Sequence, residues 1–240
     1  MRIAANDMSY RELNEKIRES KDREIVVDSC MGQRYIGCGL SDKEITVYGI
    51  PGNALGAYLN GARLFVNGNA QDAVGDTMNE GTICIRGSCG DAAGYAMRGG
   101  KILIRGNAGY RAGIHMKAYA DKYPVLVIGG AAGSFLGEYQ AGGLIIVLGI
   151  GCGERPPVGY FCGTGMHGGR IVLRSSHLPA DLPPQVSAYP AGTEDLLEIA
   201  PYVEEYCREF DTDAGEIFSG RFFVLTPNTK NPYKQLYAVY

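Results

Sequence analysis

Three histidines, seven cysteines, a few turn aspartates and one glycine triplet are the residues of this 240-residue chain from which chemistry could be built. Gly163, Gly165 and Gly168 satisfy G-x-G-x-x-G literally. A dinucleotide site needs a strand before that string and a helix after it, so that a pyrophosphate meets free N–H groups at the helix N-terminus. Here Ile171, Val172 and Leu173 follow, which reads as a strand, so these glycines are assigned to turns. His115, His167 and His177 are scattered, and no serine, cysteine or carboxylate is tied to them by a recognisable motif. Cys30, Cys38, Cys84, Cys89, Cys152, Cys162 and Cys207 form no C-x-x-C pair, which points to reduced thiols and away from iron–sulfur ligation by this chain. Asp72, Asp76 and Asp91 sit in turns, but the acid is read as not recurring at one phase, as a calcium-loaded β-roll would require. No catalytic, cofactor-binding or metal-binding residue is therefore assigned.

The elements that would position any such residue are set by the glycines. Gly49, Gly68, Gly87 and Gly106 fall at 19-residue intervals, and after a five-residue interruption Gly130 and Gly149 resume the spacing. Gly56, Gly75, Gly94, Gly113 and Gly137 each follow a member of that column by seven residues, and Gly159 closes the series. Before each first glycine stands a short apolar alternation: Ile45 and Val47, Leu64 and Val66, Ile83 and Ile85, Ile102 and Ile104, Leu126 and Ile128, Ile145 and Val147. This is the mark of a strand with one buried face. Six residues after the glycine come Leu55, Val74, Ala93, Ala112 and Leu136; ten after come Leu59, Met78, Met97, Met116 and then Gln140. His115, one residue before Met116 in that column, is expected to point outward.

A unit this short cannot bury its own apolar face, so neighbours must stack. The expected fold is all-β: a single-stranded parallel β-helix, a solenoid of 19-residue coils with about seven turns, roughly 34 Å long at strand spacing. The glycines are expected to supply left-handed or otherwise restricted dihedrals at the corners, Gly94 among them. Ile85 is placed in the aliphatic ladder, and Lys101 is read as a surface residue.

The ends depart from the repeat. Ser9 to Glu12 form a capping box with Met8 and Leu13 as a hydrophobic staple, predicting a capping helix over 10–19. Ile25 and Val27 run one residue out of phase and Cys30 replaces a glycine, which predicts a bulge in the first strand. Beyond Leu173, residues 177–192 carry four prolines and read as a linker. A helix over 193–210 follows, which Pro201 must kink or divide, and Phe222 to Leu225 read as extended. The expected organisation is a cap (1–24), a repeat domain (25–175) and a linker with a helical tail (176–240) ending in Tyr233, Tyr237 and Tyr240. With net charge −3 and no basic block, neither nucleic acid nor an anionic membrane is indicated. No signal-peptide core and no apolar run of about 18 residues is present, so a cytoplasmic location is expected.

Two segments break the period. Lys117 to Tyr123 (KAYADKY) contains the five-residue interruption, and Cys152 to Pro157 (CGERPP) carries three extra residues. Insertions in a stacked repeat become surface loops, often at a binding face. Lys117, Tyr119, Asp121, Lys122, Tyr123, Glu154 and Arg155 are accordingly the candidate contacts with partner subunits.

The strings GQRYIGCG (32–39), GNAQDAVGDTM (68–78), RGGKILIRGNAGYRAGIHMK (98–117) and VIGGAAGSFLGEYQAGG (127–143) resemble the GXGXG domain at the C-terminal end of the glutamate synthase large chain. The resemblance covers about half the chain and implies that the β-helix is right-handed. It also implies a stand-alone scaffold subunit without catalytic residues. Its partners would be a glutamine amidotransferase subunit and a synthase subunit that holds FMN and an iron–sulfur cluster, with a homo-oligomer possible in isolation. Together they would make glutamate from glutamine and 2-oxoglutarate. The same glycines occur in one subunit of formylmethanofuran dehydrogenase and in related N-methylglutamate synthases, which are the alternatives. A polysaccharide-acting β-helix enzyme would need carboxylates clustered on one face, and the phase analysis gives none.

Overall fold

The computed structural model describes residues 1–228, so Tyr233, Tyr237 and Tyr240 lie outside the described residues. The described chain is mostly β. Its strands are β1 (Arg2–Ala4), β2 (Glu24–Met31), β3 (Glu44–Ile50), β4 (Asn60–Asn67), β5 (Glu80–Ile85), β6 (Lys101–Ile104), β7 (Val125–Ile128), β8 (Ala141–Val147), β9 (Gly168–Arg174), β10 (Val186–Pro190) and β11 (Phe222–Pro227). The helices are α1 (Tyr10–Glu19), α2 (Thr193–Phe210) and α3 (Ala214–Phe218). All these strands join one sheet in the order β1-β2-β3-β4-β5-β6-β7-β8-β9-β11-β10. Pairing is parallel from β1 to β9 and antiparallel through β11 and β10.

The strand register follows the sequence columns. Ile45, Leu64, Ile83, Ile102, Leu126, Ile145 and Ile171 pair in succession, as do Val47, Val66, Ile85, Ile104, Ile128, Val147 and Leu173. Every one of these side chains is buried. The expected irregularity in β2 is present: the register shifts between Val27 and Cys30, where Ser29 takes φ +54°.

Repeat also bonds to repeat through the segments between strands. Gly75 N–H donates to Leu55 C=O of the repeat before (2.8 Å), whereas Ala73 N–H donates to Asp91 C=O of the repeat after (2.8 Å). Three residues of each turn have positive φ, as in Arg111, Gly113 and His115. The middle one is glycine throughout; a Cβ on Gly113 would point into the core against Ile145 Cδ1, whereas at Gly94 the space is open. Hydrogen bonds to both neighbours hold the flanking non-glycine residues in a conformation that is costly for them.

For several glycines of the first column the dihedral explanation is wrong. Gly87 and Gly106 are not left-handed; a Cβ would lie 2.7 Å from the Gly68 carbonyl oxygen and 2.9 Å from that of Gly87, respectively. The Asn69 amide oxygen and the Ser88 hydroxyl lie closer still, so the stacked neighbouring turn, side chain and backbone together, excludes a side chain there.

The strands have two buried faces, not one. Besides the inward ladder, the opposite face of β5–β9 buries Cys84, Leu103, Val127, Ile146 and Val172 against Ile199, Val203, Tyr206 and Phe210 of α2. Pro201 does not divide α2, which runs continuously from Thr193 to Phe210. The stretch 177–192 is not simply a linker, because Val186–Pro190 forms β10. Lys101 is not a free surface residue either: its Nζ donates to Glu205 of α2 at 2.6 Å, and both side chains are largely covered. Tyr206 donates its hydroxyl to Arg105 C=O (3.1 Å) directly over Gly129. Arg170 of β9 pairs with Asp195 and Glu198. Burial alone would raise the Asp195 carboxyl, but the Gly192 N–H and the Arg170 guanidinium hold it below its ordinary value.

At the other end α1 follows the predicted cap, Ser9 Oγ accepting from Glu12 N–H (3.2 Å), and Leu13 and Ile17 join the inward core. Ahead of it β1, which the sequence reading missed, pairs with β2. Gln140 replaces methionine in its column where the β8–β9 register shifts. Its fully buried amide nitrogen donates toward the carbonyls of Gly142, Gly143 and Arg170 (3.3, 3.1 and 3.4 Å), while its Oε1 has no hydrogen-bond partner among the described residues.

Ile85→Asp places an unpaired carboxylate in the inward ladder, at a cost of several kcal/mol. It should abolish the cooperative melt followed by circular dichroism; a soluble variant with unchanged Tm would mean the ladder is wrongly phased. Gly94 has φ +70° and open space around its Cβ position, so Gly94→Ala should lose only the dihedral penalty of about 1–2 kcal/mol. Gly49→Ala should lose about 3 kcal/mol or more, since its Cβ would also lie 2.2 Å from the Cys30 carbonyl oxygen; equal denaturant midpoints would refute the stacking account. Lys101→Ala should lower stability by about 1–2 kcal/mol through the orphaned Glu205, and Glu205→Gln in the same background should recover part of it.

Candidate interface with partner proteins

The two insertions lie at opposite ends of parallel strands, because Lys117–Tyr123 enters β7 while Cys152–Pro157 follows β8. The structure therefore does not bring the two groups of candidate contacts together. In the first loop, Tyr119 and Lys122 exchange two backbone hydrogen bonds (3.2 and 3.0 Å) across a tight turn in which Ala120 takes φ +54°. Lys117, Tyr119 and Asp121 project to solvent, Tyr119 being 65% exposed. Lys122 folds back, its Nζ 3.1 Å from Glu80 and its stem over Gly99. Tyr123 lies toward α2, and burial with the nearby Glu198 pushes its phenol up to about 12. Lys122 is thus tied to the chain's own surface, while Tyr123 keeps 41% of its surface exposed.

In the second loop Glu154 accepts from Ser176 Oγ at 3.2 Å and lies 3.8 Å from His177 Nδ1, with most of its side chain in solvent. Arg155 is exposed between two open clefts. One, about 460 Å³, runs toward Arg174, His177 and Arg221; the other, about 550 Å³, runs toward Tyr160 and Asp181.

Sequence reasoning missed an aromatic ladder along the left-handed turns. His115 projects outward, as expected, and stacks on Tyr139 (centroids 5.2 Å, 11° between planes) with Tyr95 edge-on at 6.0 Å. Beside it Arg111 covers Phe135 (5.0 Å), which stacks on Phe161 (5.1 Å). The signal lay in the columns: Tyr58, His115 and Tyr139 share one phase, and Tyr35, Arg111, Phe135 and Phe161 share another. Exposed tyrosine, phenylalanine and arginine are the composition of protein interfaces.

The reading of the aspartates also needs correction. Asp72 and Asp91 do share a phase, with Asn53 before them, and they build a hydrogen-bond ladder rather than a metal site. Asp72 Oδ1 accepts from Asp91 N–H (2.9 Å) and Asp91 Oδ1 from Tyr110 N–H (2.8 Å). Asn69, Ser88 and Asn107 form a second such ladder. Among the described residues no group of three or more His, Cys, Asp or Glu converges to hold a metal ion. Burial pushes the thiols of Cys84, Cys89 and Cys162 up to about 12, so they stay protonated at neutral pH. The G-x-G-x-x-G string makes a left-handed turn at Gly163 and Gly165 and then enters β9, not a helix. No described helix is long and apolar enough to cross a membrane.

A stacked β-sheet protein with glycine-bound repeats and an aromatic, loop-marked surface is what these features define. The chain belongs to the GXGXG motif family, whose model matches residues 9–219. An uncharacterized protein of Methanocaldococcus jannaschii is 46% identical over 249 aligned positions, which cover 98% of this chain and 95% of that one. In fold the chain is similar to a chain of the formyltransferase/hydrolase complex from Methylorubrum extorquens, solved with methylofuran. The TM-score is 0.63 at 22% identity, covering 92% of this chain and 88% of that chain.

Proposed function

We propose that this chain is a non-catalytic scaffold subunit of a multisubunit oxidoreductase of the glutamate synthase type, holding an amidotransferase subunit and an FMN and iron–sulfur synthase subunit in position in the cytoplasm. On this reading the sheet is one wall of a single-stranded right-handed parallel β-helix of about seven turns. The observation that carries it is family membership along nearly the whole chain, in repeats that use their polar groups on one another. A second reading is favoured by the fold likeness to a chain of the formyltransferase/hydrolase complex: an equivalent place in a formyl-transferring or formylmethanofuran dehydrogenase assembly.

Affinity purification of the native chain, with mass spectrometry of what travels with it, separates the two. Amidotransferase and flavin-dependent synthase chains support the first; formyltransferase or dehydrogenase chains support the second; a chain recovered alone at native concentration refutes both. The exposed residues of the first loop supply a sharper test, because stacked repeats offer no unique address along the axis while KAYADKY occurs once. Deleting residues 118–122 restores the 19-residue period, and long surface loops cost little to remove. The variant should melt within a few degrees of the parent but lose complex formation on size-exclusion chromatography, with glutamine-dependent activity falling more than ammonia-dependent activity. Normal assembly and turnover would leave the loop without a docking role.

A further inference from the structure

The smaller cleft beside the Cys152–Pro157 loop gathers positive charge in a chain whose net charge is −3. Arg155, Arg174, Arg221 and His177 line about 460 Å³ of space, and no carboxylate is among the lining residues. The arginines come from three separate segments: the inserted loop, the end of β9 and the start of β11. The Arg174 guanidinium is fixed at the base. Its Nε donates to Ile217 C=O (2.8 Å), Nη1 to Leu148 C=O (3.3 Å) and Nη2 to Glu216 C=O (3.4 Å). A guanidinium has five N–H donors, so two remain uncommitted. Gly220 permits this placement, since a Cβ there would lie 2.5 Å from Arg174 Nε.

Arg155 and Arg221 make no ion pair or side-chain hydrogen bond with any described residue and are exposed along the opening. Gly149, Gly153 and Gly220 leave the walls free of side chains, and Ser176 adds a hydroxyl that Glu154 takes up from the rim. Glu154 is an acidic group at the rim, 86% exposed in its side chain and 3.8 Å from His177. Three guanidinium groups around one space repel each other unless an anion lies between them. Their planar forks match phosphate and carboxylate oxygens two at a time.

We propose that this cleft is a binding site for a small ligand carrying two or more phosphate or carboxylate groups, with Arg174 as its fixed base and Arg155 and Arg221 as its closing pair. The site does not depend on which assembly the chain belongs to. Titration calorimetry of the full chain at low ionic strength tests it, with pyrophosphate as the phosphate probe and tricarballylate as the carboxylate probe. Saturable binding at about 1 mM or tighter is expected for one or both, and the tighter probe assigns the ligand class. Arg155→Gln and Arg221→Gln bear no structural hydrogen bond, so Tm should hold while affinity falls about five- to ten-fold each. Glu154→Gln should tighten binding about two- to five-fold by removing the opposing charge. Absence of saturable binding by either probe at about 10 mM, or undiminished binding by the Arg155→Gln, Arg221→Gln double variant, would overturn the proposal.

Discussion

Everything in this molecule depends on neighbouring repeats lying at strand spacing, about 4.8 Å apart, through the turns as well as through the strands. Within a strand that distance is ordinary. In the turns it leaves no room for a further side chain, which is why Gly87 and Gly106 sit against the Asn69 and Ser88 side chains and the carbonyls of Gly68 and Gly87. The same spacing lets Asp72, Asp91, Asn69 and Asn107 act as rungs, each accepting a hydrogen bond from an amide of the next repeat. Polar groups that elsewhere bind ligands are here consumed by the neighbouring turn.

Where the turns do not spend their side chains in this way, they present aromatic rings. Left-handed turn residues turn their side chains outward, and stacking places them in columns, so His115 stacks on Tyr139 and Phe135 on Phe161. The inserted loops mark particular heights along an otherwise repetitive stack, one at each end of the strands.

The tail gives the sheet its second buried face. Strands near the amino terminus alternate, with Thr46 and Tyr48 facing away from the core. From β5 onward the alternation gives way to runs such as Ile83-Cys84-Ile85, Ile102-Leu103-Ile104 and Leu144-Ile145-Ile146-Val147, the pattern of strands covered on both sides. α2 supplies the cover, fixed at its two ends by Arg170 and Lys101 and in the middle by packing. The outer face of β2–β4 lacks this helix and shows Tyr48 and Ile50 to solvent.

By itself the sequence determined the period, the strand register, the inward ladder, the amino-terminal helix and the bulge in β2, because each depends on residue types recurring at a fixed local spacing. It also marked both insertions as surface loops. Only the tertiary structure decided where the tail lies, that Lys101 is paired, that Asp72 and Asp91 are structural rungs and that Gln140 donates to carbonyls beside a register shift. Those facts depend on which residues meet across a hundred positions or across adjacent turns, as Lys101 meets Glu205. The cleft of Arg155, Arg174 and Arg221 is of the same kind: three isolated cations in sequence become one electropositive site only where the parallel stack ends and β11 returns antiparallel beside β9.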